Sequence, residues 1–135
     1  MFERIDHVGI AVTELEPAVA AYGERFGMGL LHREVLGEHG VEAALMSAGS
    51  SRIELLAPYG SDSSIGRFLE TRGPGMHHVA YAVEDIDAAL EELRSRDVEL
   101  IDAAPRPGML SSRIAFVAPG EAAGVLTELV EVARA

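Results

Sequence analysis

Polar and apolar residues alternate along residues 4–12: Ile5, His7, Gly9 and Ala11 fall on one side, Asp6, Val8, Ile10 and Val12 on the other. That is the period of a strand. Leu15, Ala18, Val19, Tyr22 and Phe26 then recur at helical spacing, and Gly27 and Gly29 close the run. Thr13 with Glu16 has the form of a capping box, and Pro17 falls where a missing N–H is tolerated. Strand patterns follow at 30–36, 41–48 and 52–57, divided by Gly37-Glu38-His39-Gly40 and Gly49-Ser50-Ser51. In the last of them the pleat turns Glu54 away from Ile53 and Leu55. Ser61, Asp62 and Ser63 are each able to cap a short helix carrying Ile65, Phe68 and Leu69, which ends at Arg72-Gly73-Pro74.

The same order then returns. A strand is predicted over 76–83, then a helix capped by Asp85 with Ile86, Ala89, Leu90 and Leu93 as its buried stripe. Further strands are predicted over 98–101, 113–118 and 125–132. A long loop at 103–112, rich in proline and glycine, carries Arg106. Each half reads strand-helix-strand-strand-strand, giving an α+β chain with modules at 4–58 and 76–132 and a linker with a short helix at 59–75. At 135 residues the two share one domain. At an offset of 71, His7 falls on His78, Val12 on Val83, Leu15 on Ile86 and Ala18 on Ala89. Glu128 echoes Glu54 at an offset of 74, the difference being taken up by a longer turn at 119–124. A repeat of this size marks two small modules that need one another to complete a core. A pseudo-twofold axis relating them would bring equivalent residues together.

Two imidazoles and two carboxylates on four strands then make a nitrogen and oxygen ligand set, His7, Glu54, His78 and Glu128. It suits one divalent cation such as cobalt, nickel, zinc, manganese or iron. A carboxylate beside such an ion either neutralises it or takes a proton from a carbon acid next to a carbonyl. His77 matches Asp6 in the repeat and points to the other face, a structural position; His32 and His39 read as surface groups. The absence of cysteine removes thiolate chemistry and fits a reducing cytoplasm. A net charge of −11 excludes a nucleic-acid partner, and no apolar run reaches the length of a membrane span.

Several stretches carry a resemblance. Ile5-Asp6-His7-Val8-Gly9-Ile10, Glu38-His39-Gly40-Val41, Ile53-Glu54-Leu55-Leu56-Ala57-Pro58, Met76-His77-His78-Val79-Ala80 and Gly124-Val125-Leu126-Thr127-Glu128-Leu129 are similar to the methylmalonyl-CoA epimerases of the vicinal oxygen chelate superfamily. The resemblance implies paired βαβββ modules forming a half-open, curved mixed sheet around one metal, cobalt first, with nickel, manganese or zinc as alternatives. It implies His7, Glu54, His78 and Glu128 as ligands, and interconversion of (2R)- and (2S)-methylmalonyl-CoA through an enolate, with Glu128 as one acid/base and Glu54 as the candidate second. It also implies a coenzyme A thioester as partner, approached by Arg106, Arg113 or Arg67, and a homodimer.

Two departures stand out. Some members carry a second catalytic glutamate where this chain has Ala43, so a second base has to be Glu54, a bound water or, after a register shift, Glu42. The turn Ala118-Pro119-Gly120 also lacks the usual histidine and lysine. The alternative is a glyoxalase I-type isomerase acting on a thiol hemithioacetal with the same four residues. A ring-cleaving dioxygenase or a metal-free binding protein of this fold would have lost part of the set.

Overall fold

The computed structural model describes residues 1–133. The chain divides into two compact units: His7–His77, and Met1–Asp6 together with the chain from His78 onward. The first βαβββ module comprises β1 (Arg4–Ala11), α1 (Leu15–Phe26), β2 (Leu30–Leu36), β3 (Val41–Ala48) and β4 (Ser51–Pro58). Its strands lie in the order β2-β3-β4-β1. β3 is antiparallel to both neighbours, whereas β1 runs parallel to β4.

The pleat sorts this module into two faces. Ile10, Val12, Ala44, Met46, Ile53, Leu55 and Ala57 pack against Leu15, Ala18, Val19 and Tyr22 of α1. Leu55 and Met46 are among the fully buried side chains, each worth about 1.5–3 kcal/mol of transfer free energy. The opposite face carries His7, Glu54, Ala43 and Leu45, as the register of the ladders requires.

The helix start differs from expectation. Glu14, not Thr13, is the N-cap of α1, and no side chain caps it. The linker helix α2 (Ser64–Arg72) selects Ser63 from the three candidate caps: its hydroxyl oxygen accepts from Gly66 N at 3.2 Å. The same hydroxyl donates to Gly40 O at 2.7 Å, tying the linker to the turn before β3. Gly40 has φ of 66°, and a Cβ there would meet Asp62 O at 2.6 Å, so both conformation and space demand glycine.

The second module comprises β5 (Gly75–Ala82), α3 (Ile86–Ser95), β6 (Arg106–Pro107), β7 (Arg113–Val117) and β8 (Thr127–Glu131), ordered β5-β8-β7-β6. Asp85 caps α3 as expected, its Oδ1 accepting from Ala88 N at 3.1 Å. Ile86, Ala89, Leu90 and Leu93 pack on Ala115, Val117 and Leu129. The mixed α+β class and the two βαβββ modules are as the sequence led us to expect.

The strand predicted at 98–101 is not formed. Only Leu100 bridges to Val117, and Val98 and Leu100 pack against the α3 core. The edge strand is β6, inside the stretch read as loop, and it is two residues long. Pro105 and Pro107 have no N–H to give a ladder, which keeps it short. β8 begins at Thr127 rather than Val125, because a 3₁₀ turn at Pro119–Ala122 and Gly124 at φ 94° occupy the approach. Among the described residues no helix is long and apolar enough to cross a membrane.

Candidate metal centre

Each module holds one histidine–glutamate pair, and the strand register explains both. Gly9 pairs with Glu54 across β1 and β4, and Ala80 pairs with Glu128 across β5 and β8. In each case the histidine stands two residues before the glutamate's partner, so by the pleat both side chains leave the same face. His7 Nε2 lies 3.5 Å from Glu54 Oε1, and His78 Nε2 lies 3.3 Å from Glu128 Oε1. All four residues are buried, from 3% exposed at His78 to 8% at Glu54. His7, Glu54 and His78 each offer one ligand atom, and these atoms all lie within 4.8 Å of one another.

The spacing within each pair is longer than a charge-assisted hydrogen bond. A charge-assisted hydrogen bond from imidazolium to carboxylate closes to about 2.7–2.9 Å. Two donors bound to one tetrahedral or octahedral cation at about 2.1 Å stand about 3.0–3.4 Å apart. The observed 3.3 Å falls within the second range and 3.5 Å just above it. Two buried carboxylates also need compensating positive charge, and a divalent cation supplies it. A buried His/Glu/His group able to coordinate such an ion is therefore present, and its donors are the nitrogen and oxygen kind that borderline metals favour.

The second module builds a wall beside its pair. Phe116 lies opposite Glu128 in the β7–β8 ladder, and its ring meets His78 edge-to-face at 5.7 Å. The Arg106 guanidinium stands 5.9 Å from the centre of that ring. Asp102 secures both: its carboxylate is 3.1 Å from Arg106 Nε and accepts from Phe116 N at 2.9 Å.

The other basic candidates stand elsewhere. Arg113 alternates with Ile114 and Phe116 and so faces the helix side, where it pairs with Asp87 at 3.0 Å and Glu131 at 3.5 Å. The hydrogen bond to Asp87, with the nearby Glu131 charge, raises its already high pKa further. Arg67 is an exposed partner of Asp62 at 3.0 Å.

Glu42 is also settled by register. The β3–β4 ladder runs without a shift from Val41 to Ala48, so Ala43 shares the face of Glu54 and Glu42 shares that of α1. There Glu42 takes Arg33 at 2.9 Å, and Arg33 also binds Glu16 of α1. The register shift that would make Glu42 a base does not occur. His77 packs edge-to-face on Phe68 at 4.9 Å, the structural role expected of it. One pair escaped the sequence reading: His32 Nε2 lies 2.9 Å from Glu34 Oε1 on β2. Its signal is the spacing, because residues two apart in a strand share a face.

Comparison with known proteins agrees with this geometry. Residues 6–116 match the Glyoxalase/Bleomycin resistance protein/Dioxygenase superfamily. The ethylmalonyl-CoA/methylmalonyl-CoA epimerase of Cereibacter sphaeroides is 35% identical over 98% of this chain and 100% of its own. The crystal structure of methylmalonyl-CoA epimerase from Mycobacterium tuberculosis superposes with a TM-score of 0.94 at 41% identity, covering 98% of this chain and 90% of that one. A variant of the Streptomyces coelicolor methylmalonyl-CoA epimerase, in complex with 2-nitronate-propionyl-CoA, gives 0.95 at 38% identity, over 99% of this chain and 100% of that one. This chain belongs to the methylmalonyl-CoA epimerase family of that superfamily.

Proposed function

We propose that this chain is a metal-dependent methylmalonyl-CoA epimerase, interconverting the (2R) and (2S) forms by removing and returning the C2 proton. The observation that supports this most is the twice-repeated histidine–glutamate pair at one register, in a chain akin throughout its length to epimerases of coenzyme A thioesters. His7, Glu54 and His78 would hold the ion, with Glu128 beside His78 as the fourth ligand. When bound, a divalent cation, cobalt first among the candidates, supplies Lewis acidity that lowers the cost of negative charge on a thioester oxygen.

The protein's own groups do the rest. The C2 proton of a malonyl thioester is acidic because the electron pair left behind spreads into the carbonyl. Glu128 is the acid/base for that proton: it is buried, on a rigid strand, and held 3.3 Å from His78. Glu54 serves as ligand and as neutralising charge. Phe116 and the apolar group of Ala80, Ile114 and Val130 beside Glu128 exclude water, which would otherwise stabilise the separated charges less specifically. Arg106, held by Asp102 over Phe116, is the basic group best placed to meet the anionic part of a coenzyme A thioester.

The direct test is exchange of the C2 proton of methylmalonyl-CoA with solvent deuterium by metal-loaded protein. Exchange together with inversion is expected. No exchange, alongside turnover of a glutathione hemithioacetal, would assign the chain to glyoxalase-type chemistry instead.

A further inference from the structure

We infer that Asp102 is a positioning residue for substrate binding: its carboxylate fixes Arg106 over Phe116, so that the free end of the guanidinium meets an anionic group of the thioester. This rests on the epimerase reading above. The residues concerned, between His78 and Glu128, all belong to one compact unit.

The short edge strand creates the need for Asp102. β6 pairs Arg106 with Ile114 and Pro107 with Arg113. The same register would set Ala104 opposite Phe116, but the ladder stops at Arg106. No strand carbonyl is therefore supplied to Phe116 N, and the Asp102 carboxylate takes its place, accepting through Oδ2 at 2.9 Å. The Phe116 carbonyl is engaged as well, by the amides of Ile101 and Asp102 at 2.9 and 3.2 Å. Both backbone groups of Phe116 thus turn away from β8, which makes Phe116 and Glu128 the closer, non-hydrogen-bonded kind of cross-strand pair. The ring is fastened beside Glu128 and edge-on to His78.

The other carboxylate oxygen serves Arg106. Asp102 Oδ1 lies 3.1 Å from Arg106 Nε, and the arginine and aspartate side chains are 41% and 15% exposed. The contact is an ion pair and not an aligned hydrogen bond, since the buried Nε completes none. It acts through charge. Arg106 leaves the same face as Ile114, Phe116 and Glu128, and its guanidinium stands 5.9 Å from the centre of the Phe116 ring. With Nε turned to Asp102, the two terminal nitrogens form the planar fork left for a ligand. A fork of that shape matches the paired oxygens of a phosphate or a carboxylate. A guanidinium anchored beforehand also gives up less freedom when the ligand arrives.

The two contacts make different demands. Phe116 N needs only an acceptor, which a neutral amide supplies equally well. Arg106 needs the negative charge. Asp102→Asn therefore keeps the first contact and removes the second, whereas a purely structural role would survive the change.

The experiment uses the metal-loaded full chain, with KM and kcat measured for methylmalonyl-CoA and the affinity for free coenzyme A measured by calorimetry. In Asp102→Asn, KM is expected to rise about fivefold, with kcat within about threefold of the original. Arg106→Lys, which keeps the charge but loses the fork, should raise KM by about as much. In the Arg106→Ala background, Asp102→Asn should add nothing further, because the partner it positions is gone. Weaker binding of free coenzyme A in Asp102→Asn would assign the anion to the tail phosphates. Unchanged binding of coenzyme A beside the raised KM would assign it to the free carboxylate of the acyl group. An unchanged KM in Asp102→Asn or in Arg106→Lys would overturn the inference, as would an Asp102→Asn effect that multiplies that of Arg106→Ala. Absence of C2 proton exchange in the unaltered protein would instead defeat the epimerase reading, and the inference with it.

Discussion

The two modules place a histidine and a glutamate in the same register, yet they surround the pair with different neighbours. In the first, β2 and β3 are seven and eight residues long, and the face beside Glu54 continues outward through Leu45 to His32 and Glu34. In the second, β6 is reduced to two residues, and the face beside Glu128 continues to Phe116, with Arg106 above its ring. The repeat thus fixes the histidine–glutamate pairs, whereas the flanking strands diverge, one edge carrying His32 and Glu34 and the other Phe116 and Arg106. Duplication makes a symmetric ligand set cheaply. Asymmetry has to come from strands that are free to differ, because changing β1, β4, β5 or β8 would disturb the donors themselves.

The largest effect should separate the two glutamates. Glu128→Gln keeps a side-chain oxygen but removes the proton acceptor, so kcat should fall about a thousandfold, roughly 4 kcal/mol of barrier, even at saturating metal. Glu54→Gln also keeps an oxygen donor. It should weaken metal affinity about ten- to a hundredfold and recover most of its kcat when metal is in excess. Titrating both variants with cobalt while following turnover makes the comparison. If Glu54→Gln stays as inactive as Glu128→Gln at saturating metal, the division of roles between modules is wrong.

The histidines should behave alike, since Gly9–Glu54 and Ala80–Glu128 give them equivalent settings. His7→Ala and His78→Ala should each lower cobalt affinity about a hundredfold or more, read by metal analysis after dialysis without chelator. A large difference between them would mean that the ion sits with one module's pair. Indifference in both would remove the centre. Arg106→Ala should act more mildly: on the proposal that it meets the coenzyme A part of the substrate, KM should rise about tenfold with little change in kcat. An unchanged KM would take Arg106 out of coenzyme A binding.

Much of this was open to sequence reading because it depends on spacing alone. The helix stripes, the capping role of Asp85 and the equivalence of His7 with His78 follow from periods of 3.6 and 2 and from the repeat. What escaped lacks such support. β6 has too few residues to show alternation, and its pairing partners lie six and eight positions away beyond a turn. His32 and Glu34 have no counterpart in the second half, so the repeat that singled out the ligands passed over them. Arg113 drew attention as a cation able to meet a coenzyme A thioester, but one step of the pleat puts it among the acidic groups of the helix side. Side-chain type can be read from a sequence; the face it serves depends on register, and register is a tertiary property.

The smallest contrast lies at the helix starts. Glu14 and Asp85 are equivalent at the offset of 71, and both are N-caps with extended backbone, φ −135° and −134°. Only the aspartate reaches back to an amide, that of Ala88 at 3.1 Å. The glutamate is one methylene longer and makes no cap bond. The exposed face of α1 does not otherwise make up for this, since its first-turn acid, Glu16, is engaged with Arg33. Asp85→Ala should therefore cost about 1 kcal/mol, while Glu14→Asp should gain about 0.5–1 kcal/mol by giving α1 the cap that α3 already has. For a domain of this size about 1 kcal/mol corresponds to roughly 3–5 °C in Tm, so the loss should be about that large and the gain up to it, in opposite directions and measurable by calorimetry. Neither position touches the metal donors, so turnover of Glu14→Asp at 25 °C should be unchanged. If Glu14→Asp leaves Tm where it is, the two helix starts differ in more than side-chain length, and the parallel between modules stops at the strands that carry the ligands.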